Sequence, residues 1–187
     1  MPMPVTLVPI DRIAPRCIEA LLDRVFGEDR HTRTAYRVRA GILPDPDLSF
    51  AAVHEESGAL LGSIQCWPVE LAGNAQTTAM IMVGPVAIAP DHRNRGVGRA
   101  LMHRAIARAA EGDIAGGDAL MLIGDPEYYG RHFGYSAERT GGWRLSGPVE
   151  RHRLLALGAG VPAGSGIVRA RIVAAPQRRL RSRGGLA

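Results

Sequence analysis

Lysine is absent from this chain of 187 residues, and all 23 of its basic residues are arginine. A Walker A phosphate-binding loop needs a lysine that reaches the phosphates, and Schiff-base catalysis needs a lysine amine. The composition therefore excludes both chemistries. The uniform use of arginine is typical of a compositional bias rather than of local chemistry.

Cysteine is scarce, and long apolar runs are missing. The two cysteines, Cys17 and Cys66, form no CxxC pair, so we expect reduced thiols that pack as small apolar groups. No run approaches the roughly 18 consecutive apolar residues of a membrane span. Residues 1–13 lack the basic start and apolar stretch of a signal peptide. The sequence therefore predicts a cytoplasmic protein that does not associate with a membrane.

The usual signatures of metal and hydrolase sites are missing as well. The six histidines show no HExxH or HxxxH grouping, so no metal ion is expected. No serine lies in a GxSxG context, which leaves a Ser-His-Asp hydrolase without support.

Excess positive charge is confined to the carboxyl end of the chain. Residues 1–168 contain 17 arginines and 18 acidic residues, a net charge of −1, whereas residues 169–187 contain six arginines and no acidic residue. A basic tail can bind nucleic acid, but no aromatic residue lies among these arginines to stack on bases. We therefore expect the tail to be solvated or docked on the body, and we rank nucleic-acid binding as the weakest functional hypothesis.

The apolar periodicity predicts an α/β fold. Strands are expected at 5–10, 49–55, 60–71, 79–89, 119–125, 151–157 and 166–173. Helices are expected at 12–27 with Asp11 as N-cap, at 28–41 with Gly41 as its stop, from the turn near residue 96 to about Glu111, and at 126–135. We assign residues 1–160 to one domain and residues 161–187 to a strand and arginine-rich tail that pack on that domain.

The stretch "APDHRNRGVGRALM" at 89–102 predicts a phosphate-binding turn between a buried strand and a helix. Helix N-termini attract anions because their first amides lack partners and carry roughly half a positive charge. Gly96 and Gly98 allow close backbone approach, and Arg93, Arg95 and Arg99 supply bidentate donors. A Rossmann GxGxxG motif is excluded, because leucine occupies the third glycine position.

Gly84-Pro85 interrupts the apolar strand that precedes this turn. Proline cannot donate a hydrogen bond to a neighbouring strand, and the glycine before it favours a bulge. We therefore expect irregular pairing at this point.

The pattern Arg93-x-x-Gly96-x-Gly98 resembles the pyrophosphate loop of the GNAT N-acetyltransferase superfamily. The similarity covers roughly residues 5–157 and includes "LSFAA", "WPVEL", "VGPVAIAP", "GDPEYYGRHFGY" and "GPVERHRLLAL", which are typical of an uncharacterised bacterial subgroup. The resemblance implies a mixed, mostly antiparallel sheet with a central βαβ CoA-binding unit and flanking helices. It also implies acetyl-CoA as cosubstrate.

In this family the strand with the bulge and the next strand splay apart, and the pantetheine arm lies along the exposed edge. The resemblance therefore assigns cofactor contacts to Val86, Ala87 and Ile88 on the strand, and an amide there could polarise the thioester carbonyl. It assigns the pyrophosphate to the loop residues Arg93, Asn94, Arg95, Gly96, Val97, Gly98, Arg99 and Ala100.

The resemblance also implies a tyrosine acid that protonates the departing CoA thiolate. Tyr129 has the spacing that fits best, but His132 is an extra residue relative to related sequences, so Tyr128 stays a candidate. Asp125 fits a helix N-cap best. Asp125 and Glu70 are the candidate bases, and a water chain would need neither.

The function implied is transfer of an acetyl group from acetyl-CoA to a primary amine by direct attack in a ternary complex. The alternative is a GNAT-like module that binds CoA for sensing and does not transfer. The acceptor cannot be identified from the sequence, and the fold allows a homodimer through the late strands.

Overall fold

A mixed β-sheet forms the centre of the computed structural model, which describes residues 4–173. The α-helices of this range are α1 (Pro15–Phe26), α2 (Thr34–Val38), α3 (Val97–Ala109) and α4 (Pro126–Phe133). The strands are β1 (Val5–Pro9), β2 (Phe50–His54), β3 (Leu60–Gly73), β4 (Thr77–Ile88), β5 (Leu120–Ile123), β6 (Trp143–Arg144), β7 (Leu154–Leu157) and β8 (Gly166–Ala170).

The strands follow the order β1-β2-β3-β4-β5-β7, and each of these neighbours is antiparallel except β4 with β5. Strand β3 pairs with β2 through its first half and with β8 through its second half, and β8 also pairs with β6. Helix α3 connects β4 to β5, because parallel strands require a crossover connection. The mostly antiparallel sheet with a central βαβ unit is the predicted fold.

Strands β4 and β5 separate soon after they meet. They pair only at Ile81–Leu120 and Met82–Met121. Beyond this point β4 contains the Gly84-Pro85 step, whose peptide bond is cis, and Gly84 adopts a φ of +112° that favours glycine. The β3–β4 register shifts between Ile64 and Cys66 at the same level. The predicted bulge is confirmed, and the two strands splay apart after it.

The bulge also changes which face of the sheet each β4 side chain meets. Before it, Ile81 and Val83 lie in the core cluster that contains α3, whereas Met80 and Met82 lie in the cluster on the other face. After it, residues 86 and 88 pack on the α3 cluster, although strict alternation from residue 83 would give 85 and 87. An extra residue in one strand produces this phase change. Ala87 consequently packs on the α1 side of the sheet.

The predicted N-cap of the first helix is wrong. Asp11 lies in a 3-10 turn at Ile10–Arg12, and α1 begins at Pro15 after Ala14 as N-cap. Proline disfavours the helical region for the residue before it but fits the first helical turn. The helix therefore starts at the proline rather than after the aspartate.

The single helix predicted at 28–41 is also wrong. The segment forms a 3-10 turn at Glu28–Thr32 and then the short helix α2, with Arg33 extended between them at φ −70° and ψ 149°. Arg30 in the turn is 2% exposed and forms ion pairs with Glu19 and Asp23 of α1. These contacts across elements outweigh the local helical preference of the segment.

Candidate functional site

Two cavities flank the bulge of β4 and share Val86. The first, the loop cavity, has a volume of about 490 Å³ and is lined by Val25, Val86, Ile88, His92, Arg93, Asn94, Gly96, Val97, Gly98, Arg99, Tyr128 and His132. The second, the cleft cavity, has a volume of about 550 Å³. It lies between the splayed ends of β4 and β5 and is lined by residues 82–86, by Leu122, Ile123 and Tyr129, and by residues of the segments 26–39 and 148–153.

The loop cavity is formed at the N-terminus of α3. Gly96 is the N-cap and has a φ of +81°, and open space surrounds the position that a Cβ atom would take. The first turn of α3 contains no acidic residue, and Arg93 and Arg99 line the cavity beside it. Free helix amides, the positive end of the helix dipole and two guanidinium groups together suit a phosphate.

The structure brings most of the predicted cofactor residues together around this cavity. Six of the eight predicted loop residues line it, and so do the side chains of Val86 and Ile88. Arg95, Ala87 and Ala100 are not among its described lining residues. Ala87 is fully buried against α1, because the bulge fixes the face of the sheet on which it lies.

Helix α4 contributes to the loop cavity two residues for which the sequence indicated no contact with the cofactor. Tyr128 and His132 both line it, and their rings lie 4.9 Å apart between centroids. A spacing of four residues places two side chains on one face of a helix, so the signal was present in the sequence. Helix α4 contains His132 without a bulge, since it is a regular α-helix that ends before Gly134.

Tyr129 lines the cleft cavity, on the other side of the junction from Tyr128. Its ring packs against the backbone of Gly124, where a Cβ atom would overlap it. Burial raises the pKa of Tyr129 to about 12, and the nearby Tyr128 and Asp125 act in the same direction. The Tyr129 phenol is therefore protonated at neutral pH.

The two candidate carboxylates lie outside both cavities. Asp125 is the N-cap of α4, and its Oδ1 accepts a hydrogen bond of 3.0 Å from the Glu127 amide, as predicted. Glu70 lies on the second half of β3, and its Oε1 accepts a 2.8 Å hydrogen bond from Nε of Arg169 on β8. The carboxylate of this candidate base is therefore engaged by β8, and Glu70 is not among the residues that line the cleft cavity.

Arg39 was not predicted as a site residue, although it lines the cleft cavity. Its Nη1 donates a 3.0 Å hydrogen bond to the carbonyl of Gly84 in the bulge. Its guanidinium carbon lies 3.8 Å from the ring centroid of Tyr36 and 4.5 Å from that of Trp67. Burial lowers the pKa of Arg39 to about 10, so the group keeps its charge at neutral pH. This cation fixes the bulge from the cavity side.

Metal-binding clusters and membrane-spanning helices are both absent from residues 4–173. No cluster of three or more histidine, cysteine, aspartate or glutamate side chains there could hold a metal ion. No helix in that range has the length and apolar character needed to cross a membrane.

Comparisons with known proteins agree on the fold. The structure of the GNAT family N-acetyltransferase YhbS from Escherichia coli in complex with CoA matches with a TM-score of 0.67 and 20% identity, over 90% of this chain and 91% of that chain. A GNAT family acetyltransferase from Brucella melitensis in complex with acetyl-CoA matches with a TM-score of 0.61 and 20% identity, over 89% and 96%. No curated protein sequence gives a significant match.

The sequence model of the acetyltransferase (GNAT) family matches residues 16–135. This match covers well over half of the chain, from α1 through the loop cavity to the end of α4. The chain therefore belongs to the GNAT family of acetyltransferases.

Proposed function

We propose that this protein is an N-acetyltransferase that moves the acetyl group of acetyl-CoA to a primary amine by direct attack. The observation that carries the proposal is the junction of the two cavities at Val86. One cavity has the chemistry of a phosphate site, and the other provides space for an acceptor beside the splayed strand. A donor and an acceptor could therefore meet without a covalent enzyme intermediate.

The loop cavity fits the pyrophosphate of acetyl-CoA. Arg93, Arg99 and the first amides of α3 would hold the phosphates, and Gly96 leaves the space for them. The pantetheine arm would run along β4 at residues 86–88, where β5 has diverged. An amide of this edge would polarise the thioester carbonyl. The E. coli and Brucella relatives, which hold CoA and acetyl-CoA, support this assignment.

Tyr129 is the proposed acid. As the amine nitrogen forms its bond to the carbonyl carbon, the C–S bond breaks and the sulfur leaves with the electron pair. Tyr129 would donate a hydrogen bond and then its proton to that sulfur, while the amine gives up a proton to water. Because Tyr129 lines the cleft cavity and Tyr128 the loop cavity, Tyr129 is the better placed of the two phenols.

The test has two stages. Calorimetric titration with acetyl-CoA should show binding, and a panel of primary amines should then give release of free CoA thiol. Absence of acetyl-CoA binding would overturn the whole proposal. Binding without transfer to any amine would favour the alternative of a CoA-binding module with a sensing role.

A further inference from the structure

The cleft cavity is lined by an excess of positive charge. Its described charged residues are Arg33, Arg37, Arg39 and Arg153, with Glu150 as the acidic member. Within residues 4–173, none of these four arginines lies within ion-pair distance of a carboxylate. The carboxylate of Glu150 lies instead 3.4 Å from the imidazole of His152.

Arg33, Arg37 and Arg153 are exposed, so water can solvate their charge, whereas the neighbouring Arg30 is buried and ion-paired. Arg30 is buried beside the same segment and is paired with both Glu19 and Asp23. By contrast, the hydrogen bonds of the cavity arginines go to neutral carbonyls: Arg33 donates to Phe26 at 2.8 Å, and Arg153 to Gly124 at 3.4 Å. A carbonyl satisfies a donor but leaves the net charge in place.

The arginines of the cavity come from two segments of the chain. Arg33 is the extended residue that precedes α2, and Arg37 lies in the last turn of that helix. Arg153 comes from the 3-10 turn that leads into β7, and it lines the same cavity as Arg37. A concave, partly apolar site with an excess of one sign of charge concentrates the field and attracts ligands of the opposite sign.

We propose that the acceptor is a primary amine that also carries an anionic group, a carboxylate or a phosphate, bound by Arg37 and Arg153. This inference rests on the proposed acetyltransferase function and names the substrate class of the same site. A guanidinium group recognises either anion through two parallel hydrogen bonds. A polyamine, in contrast, would bring further positive charge into a cavity that is already positive.

The same charges assist the chemistry of the amine. Nearby cations disfavour the ammonium form of a bound amine and so lower its pKa. The nucleophile would then lose its proton to water more easily, which suits a cleft that neither Asp125 nor Glu70 lines. The anionic group of the acceptor supplies the binding energy that offsets the repulsion felt by its ammonium group.

The experiment compares matched amines as acceptors by the rate of CoA thiol release. Amino acids of several lengths, including 4-aminobutyrate, are paired with their own carboxamides, and O-phosphoethanolamine with ethanolamine; 1,4-diaminobutane is the cationic control. A charge-assisted hydrogen bond predicts that kcat/KM of the anionic member exceeds that of its neutral partner by about tenfold or more. Whether this ratio of kcat/KM values is larger for the carboxylate pairs or for the phosphate pair shows which anion the site prefers.

Variants test the assigned residues. Arg37→Gln and Arg153→Gln should reduce the anionic preference severalfold, and Arg37→Glu should shift it toward 1,4-diaminobutane. Arg16→Gln is the matched control. This substitution removes the same charge, and Arg16 is exposed on α1 and lies outside both cavities. Equal use of the paired amines, or a preference for the diamine by the unaltered protein, would overturn the inference while leaving acetyl transfer established.

A binding measurement separates the inference from the proposed function. N-acetyl-4-aminobutyrate and its carboxamide are titrated into CoA-saturated protein, which needs no turnover. Tighter binding of the anion, weakened by Arg153→Gln, would support the anion site even if no amine were acetylated. Equal affinity for the two compounds would refute the anion site. If the protein acetylates no anionic amine, failure of both compounds to bind would refute the anion site as well.

Discussion

Tyr128 and Tyr129 are adjacent in the sequence and yet border different cavities. Successive residues of a helix point about 100° apart, so the side chain of Tyr128 contacts the loop cavity while that of Tyr129 contacts the cleft. The environments differ accordingly, because Tyr128 is 38% exposed and Tyr129 is mostly buried. This geometry separates two candidates that the sequence left open.

Replacing Tyr129 with phenylalanine should lower kcat by about 10²- to 10⁴-fold, the usual contribution of a general acid, and leave the Kd of acetyl-CoA unchanged. Steady-state kinetics and calorimetric titration measure the two quantities. Tyr128→Phe is the matched control and should retain most of kcat. The reverse ranking of the two variants would transfer the acid role to Tyr128.

The pH profile provides a second check on the same phenol. The pKa of Tyr129 is raised to about 12, so the phenol keeps its proton throughout the neutral and mildly alkaline range. Only above that pKa would the acid be lost. The kcat profile should therefore show no fall assignable to Tyr129 below about pH 10, near the ordinary pKa of tyrosine. A basic limb below that value which disappears in Tyr129→Phe would contradict the raised pKa.

Arg39 is the residue whose loss should affect the fold most among the cavity arginines. It is 4% exposed, donates to the bulge carbonyl of Gly84 and lies against two aromatic rings. Arg39→Gln should lower the free energy of unfolding by about 2–4 kcal/mol, from a charged hydrogen bond and a cation–π contact. The free energy of unfolding of Arg39→Lys should lie between those of the unaltered protein and Arg39→Gln. An ammonium group can donate a hydrogen bond but has no plane that stacks on the aromatic rings. Urea unfolding measures the stability of both variants. If Arg39→Gln were as stable as Arg16→Gln, the role of Arg39 in holding the bulge would be disproved.

At the scale of elements, the glycine turn before α3 contains two glycines with different constraints. Gly96 has a left-handed φ of +81°, whereas Gly98 lies inside the helix, where a Cβ atom would meet Ile88 at an ordinary 3.6 Å. Gly96→Ala should therefore cost about 1–3 kcal/mol of stability through backbone strain. Gly98→Ala should be neutral or stabilising by up to about 1 kcal/mol, since alanine favours helix.

Both substitutions should weaken acetyl-CoA binding, because both glycines line the loop cavity. Chemical unfolding and calorimetric titration on the two variants measure stability and affinity separately. If Gly98→Ala bound acetyl-CoA as tightly as the unaltered protein, close backbone approach at that position would not be required.

Elements with a local signal could be predicted from the sequence. The apolar run of β4, its Gly84-Pro85 interruption and the glycine turn each carry their own pattern, and the structure contains all three. The site residues that depend on distant contacts could not be predicted. Arg39 belongs to the cleft because of Trp67 and Tyr36, and α2 is short because Arg30 is held by α1. Such pairings have no periodicity that a single sequence reveals.

Glu70 illustrates the same limit on the long strand β3. An alternating strand pattern shows that the residue lies on one face, but not which strand pairs beside it. The partner is β8, about a hundred residues later, and its Arg169 engages the carboxylate. The order of strands in the sheet therefore determined the outcome, and that order is a property of the whole fold.

At the scale of the whole molecule, the edges of the late strands are partly covered by neighbouring backbone. Strand β8 has β3 on one side and β6 on the other, and β7 forms a bridge to Ser136 through Ala156 on the side away from β5. Near the end of the described range, Arg171 donates hydrogen bonds to the carbonyls of Val69 and Ala115. The remaining arginines of the tail lie outside the described residues.

A homodimer through these late strands would need a free strand edge, because sheets join by backbone hydrogen bonds along an open edge. We therefore expect the protein to be monomeric at micromolar concentration, with a light-scattering mass near 20.0 kDa. Ile167 of β8 is 48% exposed. If a dimer of twice that mass were observed, we would expect the exposed faces of β8 from the two copies to pack against each other. In that event Ile167→Glu should restore the monomer, whereas Arg16→Gln, far from β8 on α1, should not. A dimer insensitive to Ile167→Glu would show that the association does not use the exposed face of β8.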